Sequence, residues 1–117
     1  MALNKGDVLL AQFPFTDLSQ NKLRPAIVLH TSVRKNEVTI CFISSQNVMQ
    51  LSDTEFSVLD TDPEFSITGL RTNSKVRVSR IVTLNHQLTS RKLGRLGTYH
   101  MNILDDTLRN AFNLSGS

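Results

Sequence analysis

The run Arg24-Pro25-Ala26-Ile27-Val28-Leu29-His30-Thr31, a short break at Val33-Arg34-Lys35-Asn36, and the run Glu37-Val38-Thr39-Ile40-Cys41-Phe42-Ile43-Ser44 decide how this chain folds. Both runs are rich in β-branched and apolar residues and the break is polar, so the two should pair as an antiparallel hairpin. Counting outward from the break, cross-strand partners sum to roughly 68 or 69 in residue number. Arg24 then falls opposite Ser44 or Ser45 at the open end of the hairpin. Directly opposed side chains share a face, with β-carbons about 5 Å apart. An arginine and a pair of hydroxyls placed where strands leave a sheet suit a phosphate.

Working outward, Asp7-Val8-Leu9-Leu10-Ala11-Gln12-Phe13 reads as a preceding strand. Its apolar residues partly alternate and partly run on, so it should be buried on both faces over part of its length. Pro14 has no amide hydrogen and ends it. The loop that follows is polar, and its Phe15 is either a stacking platform for a base or partner, or a lid folded back on the core. After Ser45 the pattern dissolves, and Phe56-Ser57-Val58-Leu59 is a short strand. Asp60-Thr61-Asp62-Pro63-Glu64 is turn chemistry, since the residue before a proline is held out of the helical region. Val76 and Val78 alternate with Lys75, Arg77 and Ser79 as a half-buried strand with a basic outer face. A bulge or break is expected at Arg80. Leu93-Gly94-Arg95-Leu96-Gly97 is a last, glycine-interrupted strand. The period then changes: Ile103, Leu104, Leu108, Ala111 and Phe112 recur at helical spacing, predicting one amphipathic helix of about 14 residues with Thr98 as its N-cap.

A chain of 117 residues supports one core, so residues 1–117 are expected to form a single domain. Hydrophobic content of 39% with 20% charged residues is that of an ordinary soluble globular protein. No apolar run reaches membrane-span length, the first residues lack a signal-peptide core, and the single cysteine, Cys41, lies in an apolar run as a buried core residue. These features point to the cytoplasm and to no membrane partner. The net charge is +3, and its distribution is uneven. Asp53, Glu55, Asp60, Asp62 and Glu64 crowd together, whereas Phe65 to Leu104 holds no acid and carries Arg71, Lys75, Arg77, Arg80, Arg91, Lys92 and Arg95. Such a stretch is either the footprint of a phosphate backbone or a solvated basic face.

His30, His86 and His100 lie far apart without acidic or cysteine companions at ligand spacing, so neither a metal site nor a cofactor is expected. Phosphate-cradling glycine motifs are missing too. Ser44, His30 and Asp17 make a triad on paper only, because His30 lies about 20 Å along its strand from Arg24. His86 reads as a solvated loop residue. What remains is an arginine with hydroxyls. That set suits RNA cleavage by the substrate's own 2′-OH, where the protein orients the nucleophile and stabilises charge. Arginine is a poor base, so the 2′-OH proton must pass to a carboxylate, a water or a perturbed group.

Three pieces of the chain, Lys5-Gly6-Asp7-Val8-Leu9-Leu10, Phe13-Pro14-Phe15-Thr16-Asp17-Leu18 and Arg24-Pro25-Ala26-Ile27-Val28-Leu29, resemble the N-terminal signature of the MazF/PemK toxins of type II toxin–antitoxin modules. The likeness continues through Val38 to Ser44, Thr68-Gly69-Leu70, Val76 to Leu84 and Leu93 to Leu96, and is weakest in the acidic segment. It implies a mainly β, SH3-like barrel with a C-terminal α-helix, usually a homodimer. The implied activity is metal-independent, sequence-specific endoribonuclease action on single-stranded RNA, countered by a cognate antitoxin. By the resemblance Arg24 matches the catalytic arginine, Ser44 stands where many members carry a catalytic threonine, and Arg77 matches a further basic catalytic residue. Ser79 stands where plasmid-type members carry an aspartate proposed as base, leaving Asp17 as the nearest acidic substitute. Phe15, Thr16, Asp17, Lys22, Ser45, Lys75, Ser79 and Arg80 are the expected RNA-binding set. The alternatives are a CcdB-like gyrase poison, which cuts nothing, and a non-catalytic SH3-like binding module.

Overall fold

A computed structural model describes residues 2–12 and 22–115. In chain order the elements are β1 (Asp7–Gln12), β2 (Leu23–Ser32), β3 (Glu37–Ser44), β4 (Glu55–Val58), β5 (Ser74–Asn85), β6 (Thr89–Arg95) and α1 (Thr98–Ala111), with 3-10 turns at Phe65–Thr68 and His86–Leu88. All six strands join one antiparallel sheet in the order β4-β5-β3-β2-β1-β6. The edge strands β4 and β6 are not hydrogen-bonded to each other, so the sheet is not a closed ring. Instead α1 packs on β4 and β5, and the turn at Phe65–Thr68 packs on β6. The architecture is mainly β with one C-terminal helix, as the resemblance implies. No helix of the described residues is long and apolar enough to cross a membrane.

The β2–β3 hairpin has the register counted from the sequence. Ala26, Ile27 and Val28 pair with Phe42, Cys41 and Ile40, whereas His30, Thr31 and Ser32 pair with Thr39, Val38 and Glu37. The one-residue shift between the two halves is a bulge at Leu29. Asn36 closes the turn at φ 55, a left-handed conformation that asparagine tolerates better than most residues. The β2–β3 pairing ends at Ala26↔Phe42, and Arg24 and Ser44 both lie beyond it at the open end of the hairpin, where Arg24 pairs with Ala11 of β1 and Ser44 with Lys75 of β5.

Both faces of the sheet are apolar, which is why β1, β2 and β3 read as continuous rather than alternating runs. Val8, Ile27, Cys41, Ile43, Phe56, Val76 and Val78 form one core, closed by Leu104 and Met101 of α1. Leu9, Ala11, Ala26, Val28, Val38, Ile40, Phe42 and Leu84 form a second on the opposite face. Strand β5 feeds both. Its Val76 and Val78 enter the first core, and Val82 and Leu84 enter the second. The change of face occurs where the ladder jumps from Phe42↔Arg77 to Cys41↔Ile81, the irregularity expected at Arg80. Burial of Cys41 raises its thiol to about 12, so it stays a neutral core side chain.

Three expectations need correction. Strand β6 begins at Thr89 and ends at Arg95, earlier than the glycine-punctuated segment suggested. His86 belongs to a 3-10 turn and is half-buried rather than fully solvated. Thr98 does not cap α1. The N-cap is Gly97, without a side chain, and the carboxylate of distant Glu64 accepts the Tyr99 amide at 3.0 Å in its place. A β-carbon on Gly97 would lie 2.4 Å from that Glu64 Oε1, so the glycine makes room for the substitute cap. One turn further on, fully buried His100 meets Asp62 Oδ2 through Nε2 at 2.9 Å. That carboxylate also accepts the Leu59 amide at 2.9 Å. The histidine without acidic company in sequence therefore gains it by folding.

The borrowed cap should be measurable. Glu64→Ala is expected to lower stability by about 0.5–2 kcal/mol, the ordinary cost of losing a capping side chain. Glu64→Gln keeps an acceptor oxygen and should cost less. Urea unfolding with an unchanged m-value is the check.

Candidate functional site

The open end of the hairpin lies in a cleft of about 990 Å³. Arg24 and Pro25 of β2, Phe42 to Ser44 of β3, Ser45 and Gln46 beyond it, and Arg77 and Arg80 of β5 contribute to its lining. Gly69 to Thr72 and Arg91 to Leu93 complete most of it. The pairing explains the convergence. Ala26, Phe42 and Arg77 are successive partners across β2, β3 and β5, and Phe42 and Ser44 share a face by the two-residue period of a strand. Arg80 is three residues from Arg77 and would point the other way on a regular strand. The β5 irregularity restores it to the cleft.

Six cationic side chains line this cleft, Arg24, Arg71, Arg77, Arg80, Arg91 and Lys92, and no carboxylate is among its described lining residues. With low-dielectric walls behind them, such charges focus a positive field on whatever enters. The Ser44 hydroxyl oxygen accepts the Gln46 amide at 3.1 Å, which leaves its own proton for donation outward. Arg77 donates Nε–H to Glu55 Oε2 at 3.0 Å. Lys75 Nζ lies 3.2 Å from Glu55 Oε1 and donates to the Gln50 carbonyl at 3.0 Å. Burial pushes the Glu55 carboxyl up, but the Ser52 amide, Lys75 and Arg77 outweigh it and hold the group below its ordinary value.

The expected site residues therefore divide. Arg24, Ser44, Ser45, Arg77 and Arg80 share the cleft. Lys75 is opposite Ser44 in register, yet it is only 8% exposed and turned to Glu55 and Gln50, away from the lining. Ser79 is exposed outside the cleft and donates to Thr54 Oγ1 at 3.2 Å. Lys22 is exposed and does not line it either. Phe15, Thr16 and Asp17 lie outside the described residues. The basic stretch also has more carboxylate company than its sequence shows: Glu55 serves Lys75 and Arg77, and buried Asp7 lies 3.1 Å from Lys92 Nζ. Arg71, Arg80 and Arg91 are in no ion pair among the described residues. His30 and His86 are not lining residues, and no described group of histidine, cysteine or acidic residues could hold a metal.

Sequence reading did not assign Arg71, Thr72, Arg91 and Lys92 to the site, nor Glu55 to Arg77. Their placement depends on two glycines that let bare backbones touch. A β-carbon on Gly94 would lie 2.2 Å from the Ile67 carbonyl oxygen, and one on Gly69 2.2 Å from that of Leu93. Gly69 also has φ 76, which disfavours any other residue. These approaches seat the segment carrying Arg71 against the strand carrying Arg91. Gly94→Ala should therefore force the two apart and destabilise the fold by about 1–3 kcal/mol, read from urea or thermal unfolding.

Comparison with known proteins agrees with this architecture. No curated protein matches the chain. A solved endoribonuclease in complex with its cognate antitoxin, from mycobacterial species, superposes with a TM-score of 0.74 at 16% identity, covering 99% of this chain and 100% of that one. The Mycobacterium tuberculosis toxin MazF-mt6 gives 0.72 at 23% identity, covering 94% and 99%. A further endoribonuclease from mycobacterial species gives 0.71 at 18% identity, covering 100% and 97%. At these identities the structures establish a common fold. The model of the PemK-like, MazF-like toxins of type II toxin–antitoxin systems matches residues 4–112, nearly the whole chain, and the protein belongs to that family.

Proposed function

We propose that the protein is an endoribonuclease toxin that cuts single-stranded RNA in the arginine-lined cleft. The observation that carries this reading is the convergence of Arg24, Ser44 and Arg77 in a cleft whose described lining has six cations and no acid. Arg24 grips the scissile phosphate through two parallel N–H donors, a geometry matched to phosphate oxygens and charged at every working pH. Ser44 donates its free proton to a phosphate oxygen, and Arg77 adds positive charge where the non-bridging oxygens of the pentacoordinate phosphorus gain negative charge. The 2′-oxygen attacks the adjacent phosphorus, the bond to the 5′-oxygen breaks, and that oxygen takes a proton from water as it leaves. The products are a 2′,3′-cyclic phosphate and a 5′-OH. Guanidinium charge supplies the electrostatic stabilisation, so the reading requires no metal ion.

Among the described lining residues there is neither carboxylate nor imidazole to take the 2′-OH proton. The reading gives that proton to water or to Asp17 of the segment 13–21. Arg71, Arg80 and Arg91 carry the flanking phosphates. The same surface suits an acidic segment of a cognate antitoxin, and a homodimer in the cytoplasm completes the picture drawn from the family. The mycobacterial endoribonuclease solved with its antitoxin supports the antitoxin partner by likeness of fold.

Incubation of the purified protein with a long single-stranded RNA in EDTA, followed by mapping of cut ends, tests the reading. Cleavage leaving 5′-OH ends is expected, and intact RNA would leave a binding protein in its place. Arg24→Ala should abolish cleavage and growth arrest with an unchanged circular dichroism spectrum. Ser44→Ala should lower kcat by roughly 10²–10³-fold, the usual cost of one donor to developing negative charge. Retained cleavage by folded Arg24→Ala protein would refute the assignment.

A further inference from the structure

We infer that Glu55 is the positioning residue for Arg77, and that Lys75 neutralises Glu55 so that the Arg77 guanidinium keeps its charge for the cleft. The inference rests on the endoribonuclease reading for what that charge meets, but its geometry is independent of it. Arg77 and Glu55 are direct partners across β5 and β4, so their side chains leave the sheet on one face. The contact uses Arg77 Nε alone, at 3.0 Å. Nη1 and Nη2 make no hydrogen bond among the described residues, and Arg77 lines the cleft. One edge of the guanidinium is thus fastened from behind while its other donors are available in front.

The carboxylate is itself fastened. Glu55 Oε1 accepts the Ser52 amide at 3.0 Å and faces Lys75 Nζ at 3.2 Å. Its side chain is 8% exposed and that of Lys75 10%. A buried pair of Glu55 with Arg77 alone would be neutral, and its field would largely cancel in the cleft. Lys75 makes the cluster one carboxylate and two cations, with a net charge of +1. Lys75 reaches no cleft surface, so its charge acts only through the other two. This gives a role to a lysine that the sequence suggested would touch RNA directly.

The charged groups that face Glu55 among the described residues are Lys75 and Arg77, both from β5. Burial works against the ionised carboxyl, but the Ser52 amide and the two cations hold it below its ordinary value of 4.5. The sign follows directly. A carboxyl depressed in the folded state contributes fully above its ordinary value, and the contribution is lost as pH falls through the lower folded value.

Three measurements on the full chain separate this role from a purely structural one. The first is the Arg77 Nε–H resonance in nitrogen-15 NMR, assigned by its loss in Arg77→Lys. It should be protected at neutral pH, persist down to pH 4.5 (the carboxyl's ordinary value), and vanish only below. Loss well above that pH overturns the clamp, and this titration needs no Glu55 variant. The second is single-turnover cleavage by Glu55→Gln. The resonance should disappear and kcat fall about tenfold or more with KM changed far less, because a mispositioned charge is missed most in the transition state. A folded Glu55→Gln protein with wild-type kcat overturns the inference. If that variant does not fold, Glu55→Asp takes its place, and wild-type kcat with the Nε–H resonance lost overturns it equally.

The third uses a 2′-O-methyl RNA strand, which cannot be cut, and Lys75→Met. The resonance should remain, affinity should drop, and the slope of log affinity against log salt should flatten by about 0.7, the value of one charge on a single strand. Unchanged affinity and slope overturn the role of Lys75. Should the wild-type protein leave RNA uncut, the endoribonuclease reading fails. The Arg77 resonance and the 2′-O-methyl affinities then still decide the positioning inference.

Discussion

Strand β5 runs beside β3 in two registers, and the jump between Arg77 and Ile81 sets how the rest of the molecule is arranged. A regular strand presents alternate residues to one face throughout its length. Here the extra residues reverse the phase, so the same strand gives Val76 and Val78 to the helix-covered core and Val82 and Leu84 to the core on the other face. Without the jump, Val82 and Leu84 would stay on the face of Val76 and Val78 and be lost from the second core. The same phase change brings Arg80 into the cleft that already holds Arg77. Packing and site formation thus depend on one irregularity.

Three acidic residues are engaged within the fold. Glu55 is held by Lys75 and Arg77, Asp62 meets His100, and exposed Glu64 accepts the Tyr99 amide at the start of α1. Fully buried His100 would otherwise hold Nε2 without a partner, which is costly. The consequence for the cleft is electrostatic. With these carboxylates withdrawn to the interior or to the helix, the described lining is cationic and presents no negative side chain to an incoming anion. Of the five acids in residues 53–64, Asp62 and Glu64 reach α1.

Backbone contact, rather than side-chain attraction, sets the remaining wall. Gly69 and Gly94 let the end of the 3-10 turn and β6 approach more closely than any β-carbon permits. Arg71 and Arg91 therefore join the same cleft as Arg24, although these positions span most of the chain. Like charges drawn together in this way repel one another, and an anion bound among them lowers that cost. That is a physical reason to regard the cleft as a binding site rather than as a packing accident.

Much of this was determined by the amino-acid sequence alone, because it depends on neighbours within a hairpin or a helix. The β2–β3 register follows from a short turn and a period of two. The C-terminal helix follows from apolar residues at helical spacing. The tertiary structure alone decided which charges meet. Lys75 turns inward because Glu55 arrives from β4, and His100 gains Asp62 because the turn after β4 packs on α1. Thr98 loses the cap to Glu64 for the same reason. Such pairings act over a few ångströms between segments distant in sequence, and no local propensity encodes them. The hairpin that brings Arg24 and Ser44 to one cleft was legible; the carboxylate that holds Arg77 became visible only when β4 was laid beside β5.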